Sequence, residues 1–339
     1  MTKPGKHMAR EIAEIPAVIA RQLAQNLDSY LALGREWASN PPLFFATCAR
    51  GTSDQAALFF KYLTEIGTGI PVASLGPSLG AVFDGDLRMK GATLLAISQS
   101  GASPDLLALT KKAASGGAQT VALLNTVPSP LSAVASRSLP LSAGPESAVA
   151  ATKSFVASLV AVSAIHAGHS GDKALLDALS GLPDALASLL PVPTGDLRPL
   201  ADARRLFCLG RGVGLAIAGE AALKLKETCL LAAEGVSTAE FRHGPLALAD
   251  TGTAALVFVL DDATRPGTEV LIETLQQRGV RVATIGSGTT DFPVFDVSHP
   301  AVQAIASIVV FYDLVQRLSV DIGLNPDAPP HLVKATLTE

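Results

Sequence analysis

The sequence predicts an α/β protein made of two similar parallel-sheet domains, each a layer of strands between layers of helices. Three observations carry this. Short apolar runs that end in small or polar loops alternate with helical patterns of roughly 10–15 residues, the signature of a parallel sheet with crossover helices. The pattern then restarts, because RLFCLGRG at 205–212 is similar to LFFATCARG at 43–51. The 339 residues are 48% hydrophobic and only 17% charged, enough to bury the cores of two domains of ordinary size.

Along the chain, residues 8–38 read as helical, with Ile12, Ile15, Ile19, Leu23 and Leu27 near helical spacing. Pro16 should split this stretch or open its second half. LFFAT (43–47) is a strand that runs through CARGTSDQ into the helix AALFFKYLTEIG. TLLAI (93–97) runs through SQSGAS into DLLALTKKAASGG, and VALLN (121–125) meets a Pro/Ser loop. LPLSA (139–143) leads through GPES to a long helix starting near Val149. A helix over Ala174–Leu190 and the loop PVPTGD join the two copies. In the second copy, AALVFVL (254–260) and VRVATIG (280–286) fall at nearly the offsets of TLLAI and VALLN. The expected domains are a helical segment 1–40, a first domain 41–172, a linker 173–204, a second domain 205–326 and a tail 327–339.

Several function classes drop out. Net charge is −4 with no Lys/Arg block, which argues against nucleic acid as a partner. SFVASLVAVSAIHAG (154–168) is shorter than the ~20 residues of a membrane span and reads as a buried helix, so no membrane is expected. MTKPGKHMAREIAEI lacks the apolar region of a signal peptide. Cys48, Cys208 and Cys229 form a sparse, odd set that reads as reduced core cysteines in a cytoplasmic protein. His166 and His169 have no metal-ligand partners at the right spacing and read as a helix end, so no metal is expected. GRGVG (210–214) departs from the dinucleotide fingerprint at Leu215.

Three stretches carry candidate chemistry. In AISQSGASPDLL (96–107), a buried strand opens onto Ser98, Gln99, Ser100, Gly101 and Ser103. Such a loop offers neutral donors and a helix N-terminus to a phosphate, or it is a Ser-rich turn with Ser103 as a cap. The second copy has LDDATR (260–265) at that place, where Asp261 and Asp262 are expected to repel an anion. In EAALKLKE (220–227), Lys224 and Glu227 share a helix face among apolar neighbours. That is either a surface ion pair or a partly buried carboxylate suited to moving protons. His243 precedes Gly-Pro in a turn and is an acid–base candidate.

Taken in order, RGTS (50–53), SQSGAS (98–103), ESAVAATKSF (146–155), GEAALKLKE (219–227), EFRHGPLAL (240–248) and HLVKATLTE (331–339) resemble the sugar isomerase (SIS) family. Within it they resemble the isomerase half of glucosamine-6-phosphate synthase and stand-alone SIS-type glucosamine-6-phosphate deaminases. HMAREIAEIP (7–16) looks like the entry segment of that half. The resemblance implies two tandem SIS domains, each a three-layer sandwich of flavodoxin or Rossmann type. It implies that Ser53, Ser98, Gln99, Ser100 and Ser103, beside Arg50 and Gly51, hold a sugar phosphate, and Thr52 a sugar hydroxyl. Val149 and Ala150 would line the site through their backbone. Glu227 would move the proton between C1 and C2, assisted by the charge of Lys224. His243 would open the sugar ring from the second subunit of a homodimer, and Lys334 would form an imine with the ketose. The chain departs from the family's pattern at Arg50, where the family has Cys, and at Ala102 and Ser103, where it has Glu and Thr. Ala151 stands for Ser and Pro330 for Arg. The sequence begins at the isomerase half, with no cysteine near its start to free ammonia from glutamine. The expected reaction is therefore glucosamine 6-phosphate plus water to fructose 6-phosphate plus ammonia, without metal or organic cofactor. The alternatives are an aminotransferase-type isomerase lacking its glutaminase, a deglycase of phosphorylated ketosamines, and a non-catalytic phosphosugar sensor.

Overall fold

Pro16 acts as its position suggests: α1 (Lys6–Ala13) ends before it, and it is the second residue of α2 (Ile15–Ser39), where a missing N–H is tolerated. The computed structural model describes residues 4–83, 85–193, 195–295 and 299–334. Then come β1 (Phe44–Cys48), α3 (Thr52–Thr68), β2 (Val72–Ser74), α4 (Ser78–Ala81), β3 (Ala92–Ser98), α5 (Pro104–Ser115), β4 (Gln119–Leu124), α6 (Pro130–Val134) and β5 (Arg137–Pro140). The strands form one parallel sheet in the order β2-β1-β3-β4-β5. Its central strand β3 is buried at every residue, as a strand covered by helices on both faces must be. Leu106, Leu109 and Ala113 of α5 pack on Ala46, Cys48 and Leu94. Trp37 of α2 and Phe60 of α3 meet Phe45 edge-on at 4.8 and 5.4 Å. The expected strand over 139–143 is displaced to β5, which ends at Pro140, a residue that cannot donate to the ladder.

The helix expected from about Val149 starts four residues later, as α7 (Lys153–Ser170). Its N-terminus is capped by Glu146, whose carboxylate accepts from Ser154 N (3.3 Å) and Oγ (2.7 Å). The backbone N–H groups of Ser147, Ala148 and Val149 are bonded elsewhere, so these residues stay a loop. Lys153 to Ala167 are all buried, so the apolar stretch is the core helix the sequence predicts. After α8 (Lys173–Leu189) and α9 (Arg198–Ala201) the architecture repeats. β6 (Arg205–Gly210), α10 (Val213–Cys229), β7 (Ala233–Ser237), β8 (Thr253–Val259), α11 (Arg265–Gln277), β9 (Arg281–Gly286), β10 (Phe292–Pro293) and α12 (Pro300–Asp321) follow, with two 3-10 turns, Glu240–Arg242 and Pro245–Leu248, after β7. Their parallel sheet runs β7-β6-β8-β9-β10, the strand order of the first. Phe241, Leu271 and Leu275 close its core over Phe207, Leu209 and Val257. Gly51 and Gly212, each before the helix that follows the first strand of its copy, share one backbone conformation, φ/ψ 53°/−127° and 56°/−130°. That left-handed φ favours glycine.

α12 is long and apolar enough to cross a membrane, but 83% of its apolar window is buried, the setting of a core helix. Cys48, Cys208 and Cys229 are buried free thiols. Burial pushes Cys48 up to about 12 and Cys229 to about 11, which keeps them protonated and unreactive. The chain divides into two compact units. One holds the first sheet, with Ala17–Glu146 and Lys153–Asp177. The other holds the second sheet, with the described residues up to Pro16, the loop Ser147–Thr152 and Ala178–Lys334.

Candidate active-site residues

The serine loop in the first unit leaves the carboxyl end of β3, at the point where the strand order reverses between β1 and β3. Ligands of open α/β sheets bind at such switch points. Gly101 N donates to Ser98 Oγ at 3.0 Å, and Ala102 N to Ser100 Oγ at 3.3 Å. Each hydroxyl accepts from the loop and so keeps its own hydrogen to donate outward. Gly101 has φ +63°, and a Cβ there would lie 2.3 Å from Ser129 Oγ, so only glycine fits the turn. Ser103 precedes α5, but its side chain makes no capping bond, which leaves its hydroxyl for a ligand. Arg50, beyond β1, is tied to Asp105 in the first turn of α5 by Nη2 (2.7 Å) and Nε (2.8 Å), both to Oδ2. Asp105 is buried and Arg50 is 49% exposed. The pair neutralises a carboxylate that would otherwise oppose a phosphate at this loop.

In the second unit, α10 carries a buried charge cluster. Lys224 is fully buried and its Nζ donates to Glu227 Oε2 at 2.6 Å and lies 3.2 Å from Glu220 Oε1. The surface ion pair weighed above is thus excluded. Glu220 is also buried and accepts from the Tyr312 hydroxyl of α12 at 2.7 Å. Glu227 is 21% exposed, so one end of the cluster reaches solvent. Burial pushes Glu220 up to about 7, against the pull of Lys224. The two carboxylates drive Lys224 upward, so it stays charged. An acid raised from an ordinary 4.5 binds its proton more tightly when folded. Its contribution to stability is full below pH 4.5 and is lost as pH rises to about 7. Glu220→Gln, which keeps an acceptor for Tyr312, should therefore flatten the fall in urea-unfolding free energy between pH 5 and 8, by on the order of 3 kcal/mol.

Val149 and Ala150 lie in the loop 147–152, which α1 and the chain's C-terminal stretch hold in place. Glu11, buried in α1, accepts from Ser147 N at 2.5 Å and Ala148 N at 3.3 Å. Asp327 binds the N–H groups of His7 and Met8 at 3.0 and 2.8 Å, and its carbonyl accepts from Val149 N at 3.2 Å. Lys334 Nζ donates to the Ala148 carbonyl at 2.6 Å. The tail lysine is thus joined to the loop whose backbone the resemblance assigns to the sugar. Glu11→Ala would strand two backbone donors and should cost about 2 kcal/mol by chemical denaturation.

His243 follows the turn Glu240–Arg242, is exposed, and lines an open cleft of about 410 Å³ with Arg211 and Arg242. Glu227 and Lys224 do not line that cleft. The predicted residues therefore gather in four places: the serine loop with Arg50, the Lys224–Glu227 pair, the Lys334–loop contact and the His243 cleft. Sequence reasoning missed Glu220, Asp105, Tyr312 and Glu11. Glu220 is the fourth residue before Lys224 on the same helix, a spacing that marks a neighbour. Asp105 and Glu11 carry no such signal, because each looks like an ordinary helix-surface acid.

Comparison with known proteins bears on both units. A SIS domain model matches residues 46–167 and 199–292. The glutamine–fructose-6-phosphate aminotransferase of Methanothermobacter thermautotrophicus is 33% identical over 353 residues, 98% of this chain and 57% of that protein. The chain thus spans less than two thirds of the length of such curated relatives. A crystal structure of a provisionally named phosphosugar isomerase from Silicibacter pomeroyi is 39% identical, with a TM-score of 0.88 over 95% of this chain and 99% of that one. The C-terminal domain of glucosamine-fructose-6-phosphate aminotransferase from Francisella tularensis, 23% identical with a TM-score of 0.84 over 95% and 98%, shares the fold. So does a glucosamine-6-phosphate deaminase from Thermotoga maritima, 21% identical with a TM-score of 0.73 over 95% and 100%.

Proposed function

The chain belongs to the SIS domain family, and we propose that within it this protein is an aldose–ketose isomerase of amino sugar phosphates that converts glucosamine 6-phosphate and water to fructose 6-phosphate and ammonia. The observation that carries this is the α10 cluster: a fully buried lysine holding a carboxylate that reaches solvent at one end. Such a carboxylate has a fixed orientation and an accessible oxygen, which is what proton transfer between adjacent carbons asks of a base.

The steps follow from the groups. Ser98, Gln99, Ser100, Ser103, Ser53 and the backbone beside Arg50 and Gly51 bind the phosphate, and Thr52 a hydroxyl of the chain. Binding energy at the phosphate, remote from the reacting carbons, orients the open sugar. His243, supplied by a second copy of the chain, gives a proton to the ring oxygen and frees the aldehyde. Glu227 removes the C2 proton, which the C1 aldehyde acidifies, and returns it at C1. The enolamine becomes an imine at C2. Water adds there and ammonia leaves, or the Lys334 amine first displaces ammonia and is then released by water. Val149 and Ala150 line the sugar through their backbone.

The curated relatives' name supports a second reading, in which the same residues run the reaction towards the amino sugar with nitrogen from another source. One assay separates the two. The protein is incubated with glucosamine 6-phosphate, without glutamine or added ammonium, and ammonia and fructose 6-phosphate are followed. Equal, catalytic release of both is expected. No release, with amino sugar formed from fructose 6-phosphate and ammonium, would select the second reading. Inactivity in both directions would overturn the assignment to amino sugars.

A further inference from the structure

We infer that the second unit carries its own phosphomonoester site, in the cleft lined by Arg211, Thr238, Arg242 and Gly267, separate from the serine loop of the first unit. The repeat puts it there. The cleft lies at the carboxyl ends of β6 and β7, beside the point where the second sheet reverses its strand order between β6 and β8. Arg211-Gly212 follows β6 as Arg50-Gly51 follows β1, with the same glycine conformation. The charge differs in a telling way. Arg50 is paired with a buried aspartate, whereas Arg211 has no ion pair among the described residues. No carboxylate lines the cleft, while Arg242 and His243 do. Asp261 and Asp262, expected to repel an anion here, are engaged locally. Asp261 lies 3.5 Å from the Arg265 guanidinium, and Asp262 Oδ1 accepts from Thr264 N (2.7 Å) and Oγ1 (2.6 Å).

Two further features point to a ligand. Thr238 is only 2% exposed, lines the cleft, and its hydroxyl has no partner among the described residues. Its oxygen is not fully enclosed, so the hydroxyl opens onto the cleft and can donate to what binds there. Pro266 and Gly267, in the first turn of α11, bring the positive end of a 13-residue helix to the same cleft. A volume of about 410 Å³ suits a small organic phosphate. Two guanidiniums, a hydroxyl open to the cleft and a helix N-terminus are the donor set of a phosphomonoester.

The test counts phosphate and does not depend on turnover, so it stands whether or not the isomerase reading holds. Wild type is dialysed to equilibrium against radiolabelled inorganic phosphate in chloride buffer of constant ionic strength. Two equivalents per chain are expected. S98A/S100A should keep one, R211E/R242E should keep the other, and the four substitutions together should keep none. Arg211 and Arg242 are exposed, so their replacement leaves the fold intact, which the melting temperature verifies. Zero or one equivalent in wild type, or a count that R211E/R242E leaves unchanged, overturns the inference. A single equivalent lost in both double variants would mean that arginines and serines serve one shared site, which also overturns it.

Discussion

Glu227→Gln is expected to reduce turnover of glucosamine 6-phosphate by about 10²–10⁴-fold while leaving phosphosugar affinity within a few-fold of wild type. The amide has the shape of the carboxylate and still offers an oxygen to Lys224 Nζ, now 2.6 Å from Oε2, so the helix and its buried lysine keep their arrangement. What is lost is the capacity to take a proton. A group that acts only in the transition state lowers kcat and kcat/KM together, without raising KM. The proposed phosphate donors lie on the serine loop, in the unit that does not hold Glu227, so binding should be insensitive to the change. Turnover within twofold of wild type would remove Glu227 from the proton transfer. Lost affinity with unchanged kcat would make it a sugar-binding residue instead.

The sheets were legible because most of their strands are continuous apolar runs that stop at polar or small-residue loops, and the repeat of Arg-Gly after β1 and β6 exposed the duplication. The strands that escaped notice are β2, β7 and β10. All three are edge strands, are short or half-exposed, and lack the apolar run that signals a strand. The sequence pattern places the start of α7 too early for a related reason. AVAAT has the composition of a helix, but distant partners, Glu11 and Asp327, take the N–H groups of Ala148 and Val149. The same limit governs the candidate site. Ser98, Ser100, Lys224 and Glu227 stand close enough in sequence to signal chemistry by themselves. Asp105 becomes the partner of Arg50 only when β1 and α5 come together, and Tyr312 meets Glu220 only when α10 and α12 do. Charge that is paired across the fold is invisible to spacing.

Lys224→Met should be the most destabilising single change in the second unit, by about 3–5 kcal/mol in chemical denaturation at pH 8. Methionine fills much of the space of the lysine stem, so the loss reports charge more than packing. Without the ammonium, the Glu220 and Glu227 carboxylates remain together, one of them fully buried, and the Tyr312 hydroxyl, a neutral donor, does not offset the buried charge. The penalty should shrink towards pH 5. Glu220, already pushed up to about 7 with the lysine present, can then take a proton and shed its charge. At pH 8 it must stay ionised or shift further, and either course costs stability. Adding Glu220→Gln should recover part of the loss, since the double variant leaves only the partly exposed carboxylate of Glu227. A coupling of more than about 1 kcal/mol between the two substitutions is expected for groups that share one network. Additive effects, or a penalty equal at pH 5 and pH 8, would mean that the cluster is held by packing and that the charge on Lys224 is not what orients Glu227.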